Sequence, residues 1–267
     1  MPTLRHRALS VLQQPDPDRK AEMARAIASG LPSGAALALE EPAGLPGRPQ
    51  RPALVGHTQV KQRSIATPQG RAILLHALAH IELNAIDLAA DAVWRFAGMP
   101  DAFYEDWAQV AREEALHFQL LRDHLQGLGY RYGDFPAHNA LWEMAERTRH
   151  DVLARVALVP RTMEARGLDA SPAVRQKLVS VGDEAGAAII DIILRDEIGH
   201  VAVGNRWYGW LCARRGLEPV ATYAELSRTY QAPRLRGPFN LAARKAAGFS
   251  ETELQALAAG QPAGLCS

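Results

Sequence analysis

Cysteine is scarce in this sequence. Cys212 and Cys266 are the only two among 267 residues, and their placement suits neither a zinc knuckle nor a disulfide framework. Free thiols in a reducing cytoplasm are therefore the expectation. An excess of either charge is also missing: 30 basic residues face 29 acidic ones. That balance gives no bulk attraction to nucleic acid, membranes or acidic substrates. A tRNA substrate would need a local basic surface around a pocket mouth, which the overall charge neither supports nor excludes. No run of about 18 apolar residues escapes interruption by charge, so no membrane span is expected. The first residues, MPTLRHRALSVLQQ, hold basic groups but no apolar stretch, and no secretory signal is expected. Alternating strand patterns, strict repeats and low-complexity tracts are missing too. So are a Gly-rich phosphate loop, a Gly-x-Ser-x-Gly turn and a plausible Ser/His/Asp set.

What is present is helical. Residues 3–29 read as a short helical pair broken at Pro15 and Pro17. Residues 30–66 carry Pro32, Pro42, Pro46, Pro49 and Pro52, and proline removes a donor and fixes the backbone, so this stretch reads as extended chain wrapping a core. Thr67-Pro68 is a cap followed by proline at the first helical position, opening a first long helix to about Phe96. Asp101 can cap a second, to about Gln126, and Asn139 a third, ending at Gly167. Ser171-Pro172 reads as the start of a short helix, and Gly182-Asp183 as a break before a long fourth helix closed by Gly216. In the tail, Ser250-Glu251-Thr252-Glu253 is a capping-box pattern. Four long helices joined by short connections predict an all-α four-helix bundle over 67–216. Segments 1–66 and 217–267 would wrap it at either end.

Two stretches carry chemistry: Glu114-Ala115-Leu116-His117 and Glu197-Ile198-Gly199-His200. Residues three apart lie on one helix face, so a carboxylate and an imidazole at that spacing can bind one ion. A single Glu-x-x-His is a weak signal. Two copies, joined by one further Glu from each remaining helix, make the set that a dimetal bundle requires. Glu82 and Glu164 supply those two. Glu82 lies about sixteen residues before the Gly98–Asp101 turn and Glu114 about fourteen after it, a few ångströms of mismatch at about 1.5 Å per residue. The second pair is harder. Glu164 stands three residues before Gly167, and it meets Glu197 only if the chain breaks at Gly182. Glu82 and Glu197 sit in strongly apolar surroundings, where an unpaired carboxylate is costly. Four carboxylates and two neutral imidazoles balance two divalent ions, and oxygen and nitrogen donors suit iron, manganese or zinc. Glu113 and Asp196, each beside a ligand Glu, are candidates to hold the second N–H of a ligating histidine. His76, His80 and His124 read as core or surface histidines rather than further ligands. Arg234 and Arg236 can form an anion site, or equally an ion pair or helix cap.

The set Glu82, Glu114-x-x-His117, Glu164, Glu197-x-x-His200 resembles the ferritin-like, carboxylate-bridged dimetal superfamily, which includes rubrerythrins, bacterioferritins and tRNA-modifying dimetal hydroxylases. Longer stretches, among them Ala79–Asp87, Ala137–Glu143, Leu158–Arg161, Glu164–Asp169, Arg195–Val201 and Arg234–Asn240, resemble a bacterial family known as domain of unknown function 455. The resemblance implies that the four glutamates bridge or terminally bind two metals and that each histidine caps one. Rubrerythrins also carry a cysteine-rich module that this chain lacks, so peroxide reduction through such a module is not implied. The expectation is a di-iron oxidoreductase or hydroxylase acting with dioxygen on a small organic substrate. Two rivals stand beside it: an iron-handling ferroxidase without organic substrate, and a metal-free bundle that binds a partner.

Overall fold

A computed structural model describes residues 2–56 and 63–259. Cys266, the end of the tail and residues 57–62 of the wrap lie outside it. Among the described residues the regular structure is all helical. In chain order the helices are α1 (Leu4–Gln13), α2 (Pro17–Arg25), α3 (Pro68–Arg95), α4 (Asp101–Gly127), α5 (Ala140–Arg147), α6 (Val152–Leu158), a π-helical segment (Val159–Glu164), α7 (Ala165–Ser180), α8 (Glu184–Arg215), α9 (Pro219–Thr229), α10 (Leu241–Ala246) and α11 (Glu251–Ala258). No strand forms among them; an isolated bridge pairs Leu54 with Ala137. The chain divides into two compact units. One comprises the described residues within Met1–Trp142 with Lys177–Ile189, the other those within Glu143–Gln176 with Ile190–Ser267.

In the first unit, α3 starts where the sequence says it should: the Thr67 side chain accepts from the Gly70 amide and Pro68 follows. From Leu83 to Trp94 α3 is buried on every face, as suits a helix apolar all round. By length and composition α3 would also pass for a membrane span, but 72 % of its most apolar stretch is buried within the protein. α4 packs along it. Asp101 is not the cap expected; Pro100 holds that position without a side-chain bond, and Asp101 instead accepts from the Ser33 hydroxyl at 2.5 Å. The stretch 30–56 runs as irregular chain, tied down by Arg5. That buried guanidinium donates to the Leu37 carbonyl at 2.6 Å and to the Trp94 carbonyl at 2.9 Å. Gly47 comes so close to α1 that a Cβ there would lie 2.1 Å from the Gln13 carbonyl oxygen.

Two α3 histidines are held neutral. Burial brings His76 down to about 4, and burial, reinforced by Arg48 and neighbouring histidines, brings His80 down to about 3. As pH falls from 6.5, the unfolded chain takes up protons that these folded imidazoles refuse. Their contribution is therefore complete above pH 6.5 and is lost on acidification. Between pH 7 and pH 5 the pair should cost about 3–4 kcal/mol of stability. The raised Glu82 and His117 offset part of this as pH falls, so the test is a comparison: between pH 7 and pH 5 the wild-type chain should lose about 2 kcal/mol more in urea unfolding than His80→Gln does. An equal pH dependence of the two proteins would contradict this assignment.

In the second unit the expected third helix differs from its reading. It does not run unbroken from Asn139: α5 ends at Arg147, and α6 starts afresh with Asp151 capping the Leu153 amide at 2.9 Å. Asn139 instead accepts from the Arg48 guanidinium at 2.7 Å. Pro160 then lacks the N–H an α-helix needs, and the backbone widens into a π segment. The Thr162 hydroxyl donates to the Ala157 carbonyl at 2.8 Å, satisfying an acceptor there. Gly204 of α8 makes room, since a Cβ there would lie 2.8 Å from the Pro160 ring.

The helix also does not end at Gly167. It continues as α7 straight through Ser171-Pro172, which is no helix start. Pro172 cannot donate to the Leu168 carbonyl, and the Asn240 side chain does so instead at 3.2 Å. Ser171 donates back to the Gly167 carbonyl at 2.8 Å. Arg244 clamps the same stretch through two bonds to Asp169, at 3.0 and 2.6 Å. The turn falls at Gly182, φ +73°, and Asp183 caps α8 through the Gly186 amide at 2.9 Å. Gly216, φ +65°, closes α8, and Ser250 with Glu253 forms the capping box of α11.

Candidate metal centre

In the first unit, Glu82 projects from the middle of α3, and Glu114 and His117 from one face of α4. The turn at Gly98 folds these helices back to back, so thirteen residues separate Glu82 from the end of α3 and Glu114 from the start of α4. Equal distance from the turn puts them at one depth. His117 Nδ1 lies 3.1 Å from Glu82 Oε2 and 3.4 Å from Glu114 Oε2. All three are buried: 4 % of Glu82, 1 % of Glu114 and none of His117 is exposed. Their ligand atoms lie within 4.8 Å of one another, close enough for one ion.

The electrostatics are those of a cation site. Burial, then the neighbouring Glu114 charge, pushes Glu82 up to about 7, against the pull of His117. Burial alone would lower His117, but its bonds to Glu114 and Glu82 outweigh that and raise it to about 11. The one ion pair that Glu82 makes among the described residues is with this imidazole. A positive charge between the two carboxylates is thus strongly favoured. Oxygen and nitrogen donors without sulfur fit iron, manganese or zinc.

In the second unit, α8 repeats the motif with the same internal geometry. His200 Nδ1 lies 3.4 Å from Glu197 Oε1, and both are buried. Glu164 is partly buried and is the last residue of the π segment. The corrected boundaries place it sixteen residues before the end of α7, and Glu197 thirteen after the start of α8. The register thus resembles that of the first pair, without the mismatch that an ending at Gly167 implied.

Glu113 and Asp196 are half-buried. Glu113 accepts from Gln109 at 2.5 Å, and Asp196 from Arg195 at 2.8 Å. His76, His80 and His124 are engaged as side-chain partners: His76 accepts from the Gly133 amide, His80 bonds the Tyr132 hydroxyl, and His124 bonds Asp183. Arg234 and Arg236 are exposed. The sequence reading missed the buried Lys20–Asp87 ion pair. Asp87 among the apolar residues of α3 was its only signal. It also missed Arg161, which lies within the π segment and is almost wholly buried.

The profile of a family described as "Protein of unknown function (DUF455)" matches residues 13–255. The chain belongs to this family. A relative from Haemophilus influenzae, described as an uncharacterized protein, is 51 % identical over 213 residues, which cover 77 % of this chain and 74 % of that one. No solved structure gives a significant match. Membership accounts for the long shared stretches noted in the sequence. It leaves the chemistry of DUF455 to be argued from the residues themselves.

Proposed function

We propose that this chain is a ferritin-like dimetal carboxylate protein, in which Glu82, Glu114 and His117 bind one side of the centre and Glu164, Glu197 and His200 the other. On this reading the metals are iron, and the protein is a cytoplasmic oxidoreductase that works with dioxygen on a small organic substrate. The observation that carries it is the buried Glu82–His117–Glu114 group, two carboxylates converging on one imidazole. Repetition of the same Glu-x-x-His geometry on α8 supports a second half-site.

Bound iron would supply reduction of dioxygen and oxidation of the substrate. The chain's own residues fix the ligands in a rigid, water-poor interior and neutralise two divalent charges with four carboxylates. His117 must give up a proton to become a ligand, and below about pH 7 Glu82 must too. Ferrous or manganous ion should therefore bind with release of about one proton at this centre above pH 7, and nearer two below it. Calorimetry in buffers of different ionisation enthalpy measures that number, and zero release throughout would contradict the ligand assignment.

The deciding experiment is metal analysis of protein purified without added metal. About two iron per chain, with an optical change on exposure to air, supports the proposal. A metal-free chain equally stable with and without chelator would refute it. Ferrous oxidation with oxygen uptake but no organic acceptor would favour the iron-handling alternative, which shares the same ligands.

A further inference from the structure

On α3, one turn away from Glu82, a second polar cavity opens within the first unit. Its floor is the α3 face bearing His80, Leu83, Asn84 and Asp87; Lys20 of α2, Arg48 of the wrap and Tyr132 complete its polar lining. Pro49 and Pro52 form part of its wall, and the cavity volume is about 30 Å³. That is room for about two or three waters, so only a very small ligand fits.

Three features give it the character of a built site. Lys20 is 2 % exposed, paired with Asp87 and donating to the Gly47 carbonyl at 2.9 Å. An ammonium has three donors, and these bonds use two. Arg48 stands half-buried and donates to Asn139, with other N–H groups to spare. Asn84 is also 2 % exposed. Its Nδ2 donates to the His80 carbonyl at 2.8 Å, which fixes the amide's orientation, and its Oδ1 has no partner. A buried acceptor left unpaired is costly, and a ligand N–H or O–H would satisfy it.

The charges choose the ligand. Lys20 and Asp87 cancel, and Arg48 adds one positive charge. Two cations disfavour a metal ion, and Asp87 disfavours a dianion. A monoanion with one donor fits best. We propose that this cavity binds a small hydroxycarboxylate, with its carboxylate on Arg48 and Lys20 and its hydroxyl donating to Asn84 Oδ1. The site uses no metal ligand, so it holds whether or not the dimetal reading does.

Calorimetric titration of the full chain with glycolate or L-lactate, as purified and after chelation, tests this. Either should bind at millimolar concentration or tighter in both preparations. Acetate, lacking the donor, and propane-1,2-diol, lacking the charge, should bind at least ~10-fold more weakly, about 1.4 kcal/mol. Arg48→Gln should weaken lactate at least ~10-fold with an unchanged circular dichroism spectrum, and Asn84→Leu should bring lactate and acetate within about twofold of each other. The proposal is overturned if neither hydroxy acid binds, if acetate equals lactate, if Arg48→Gln has no effect, or if inorganic phosphate binds as tightly through the same residues.

Discussion

Glu114→Gln should lower the affinity for ferrous or manganous ion at least ~100-fold while making the metal-free protein more stable. Loss of even an outer partner of a metal ligand costs about 10–100-fold, and Glu114 is proposed as a ligand itself. The stability change has the opposite sign. Without metal, two buried carboxylates share one imidazolium, and the Glu114 charge raises Glu82 by repulsion. Neutralising Glu114 removes that repulsion from the Glu82–His117 pair, so the melting temperature of chelated protein should rise by a few degrees. Unequal outcomes of this kind separate a metal centre from a structural ion pair. If Glu114→Gln destabilised chelated protein by several kcal/mol and left metal content untouched, the group would be structural.

Arg161→Ala should destabilise the protein by about 3–5 kcal/mol, read from urea unfolding. The guanidinium is 4 % exposed, pairs with Glu253 and donates to Asn205 Oδ1 at 2.7 Å. The rings of Tyr208, Tyr223 and Phe249 enclose it at 4.6, 4.8 and 5.0 Å. Removing it strands the Glu253 carboxylate in a poorly solvated place and forfeits three cation–π contacts. Arg161→Lys should rescue little, because a point charge on a flexible stem cannot stack in a planar slot. Arg161→Met with Glu253→Gln should recover most of the loss, since glutamine at that position still closes the capping box on Ser250. A cost below about 1 kcal/mol for Arg161→Ala would mean the guanidinium is not held as described. Because Arg161 belongs to the π segment that ends at Glu164, Arg161→Ala should also lower metal content if Glu164 is a ligand.

Much of this was legible because it is local. Thr67-Pro68, Gly98, Gly182-Asp183, Gly216 and the Ser250–Glu253 box each mark a helix end through their own backbone chemistry, and each does so in the structure. Glu-x-x-His needs only helical pitch to bring its two side chains together, and the Glu82–Glu114 register needs only the position of one turn. The Lys20–Asp87 pair was not legible, because its partners lie 67 residues apart and meet only through packing of α2 on α3.

The sequence by itself thus determined the N-terminal helical pair, the long helices α3, α4 and α8, most of their ends and the grouping of Glu82, Glu114 and His117, since these follow from capping, pitch and distance to a turn. Only the tertiary structure decided the course of the chain from Asn139 to Gly182. There Pro160 widens a helix rather than ending it, and Pro172 lies inside one. A proline stops a helix when the carbonyl it orphans has no other donor. Here Asn240, some seventy residues on in the chain, donates to Leu168, and no local pattern around Pro172 announces it.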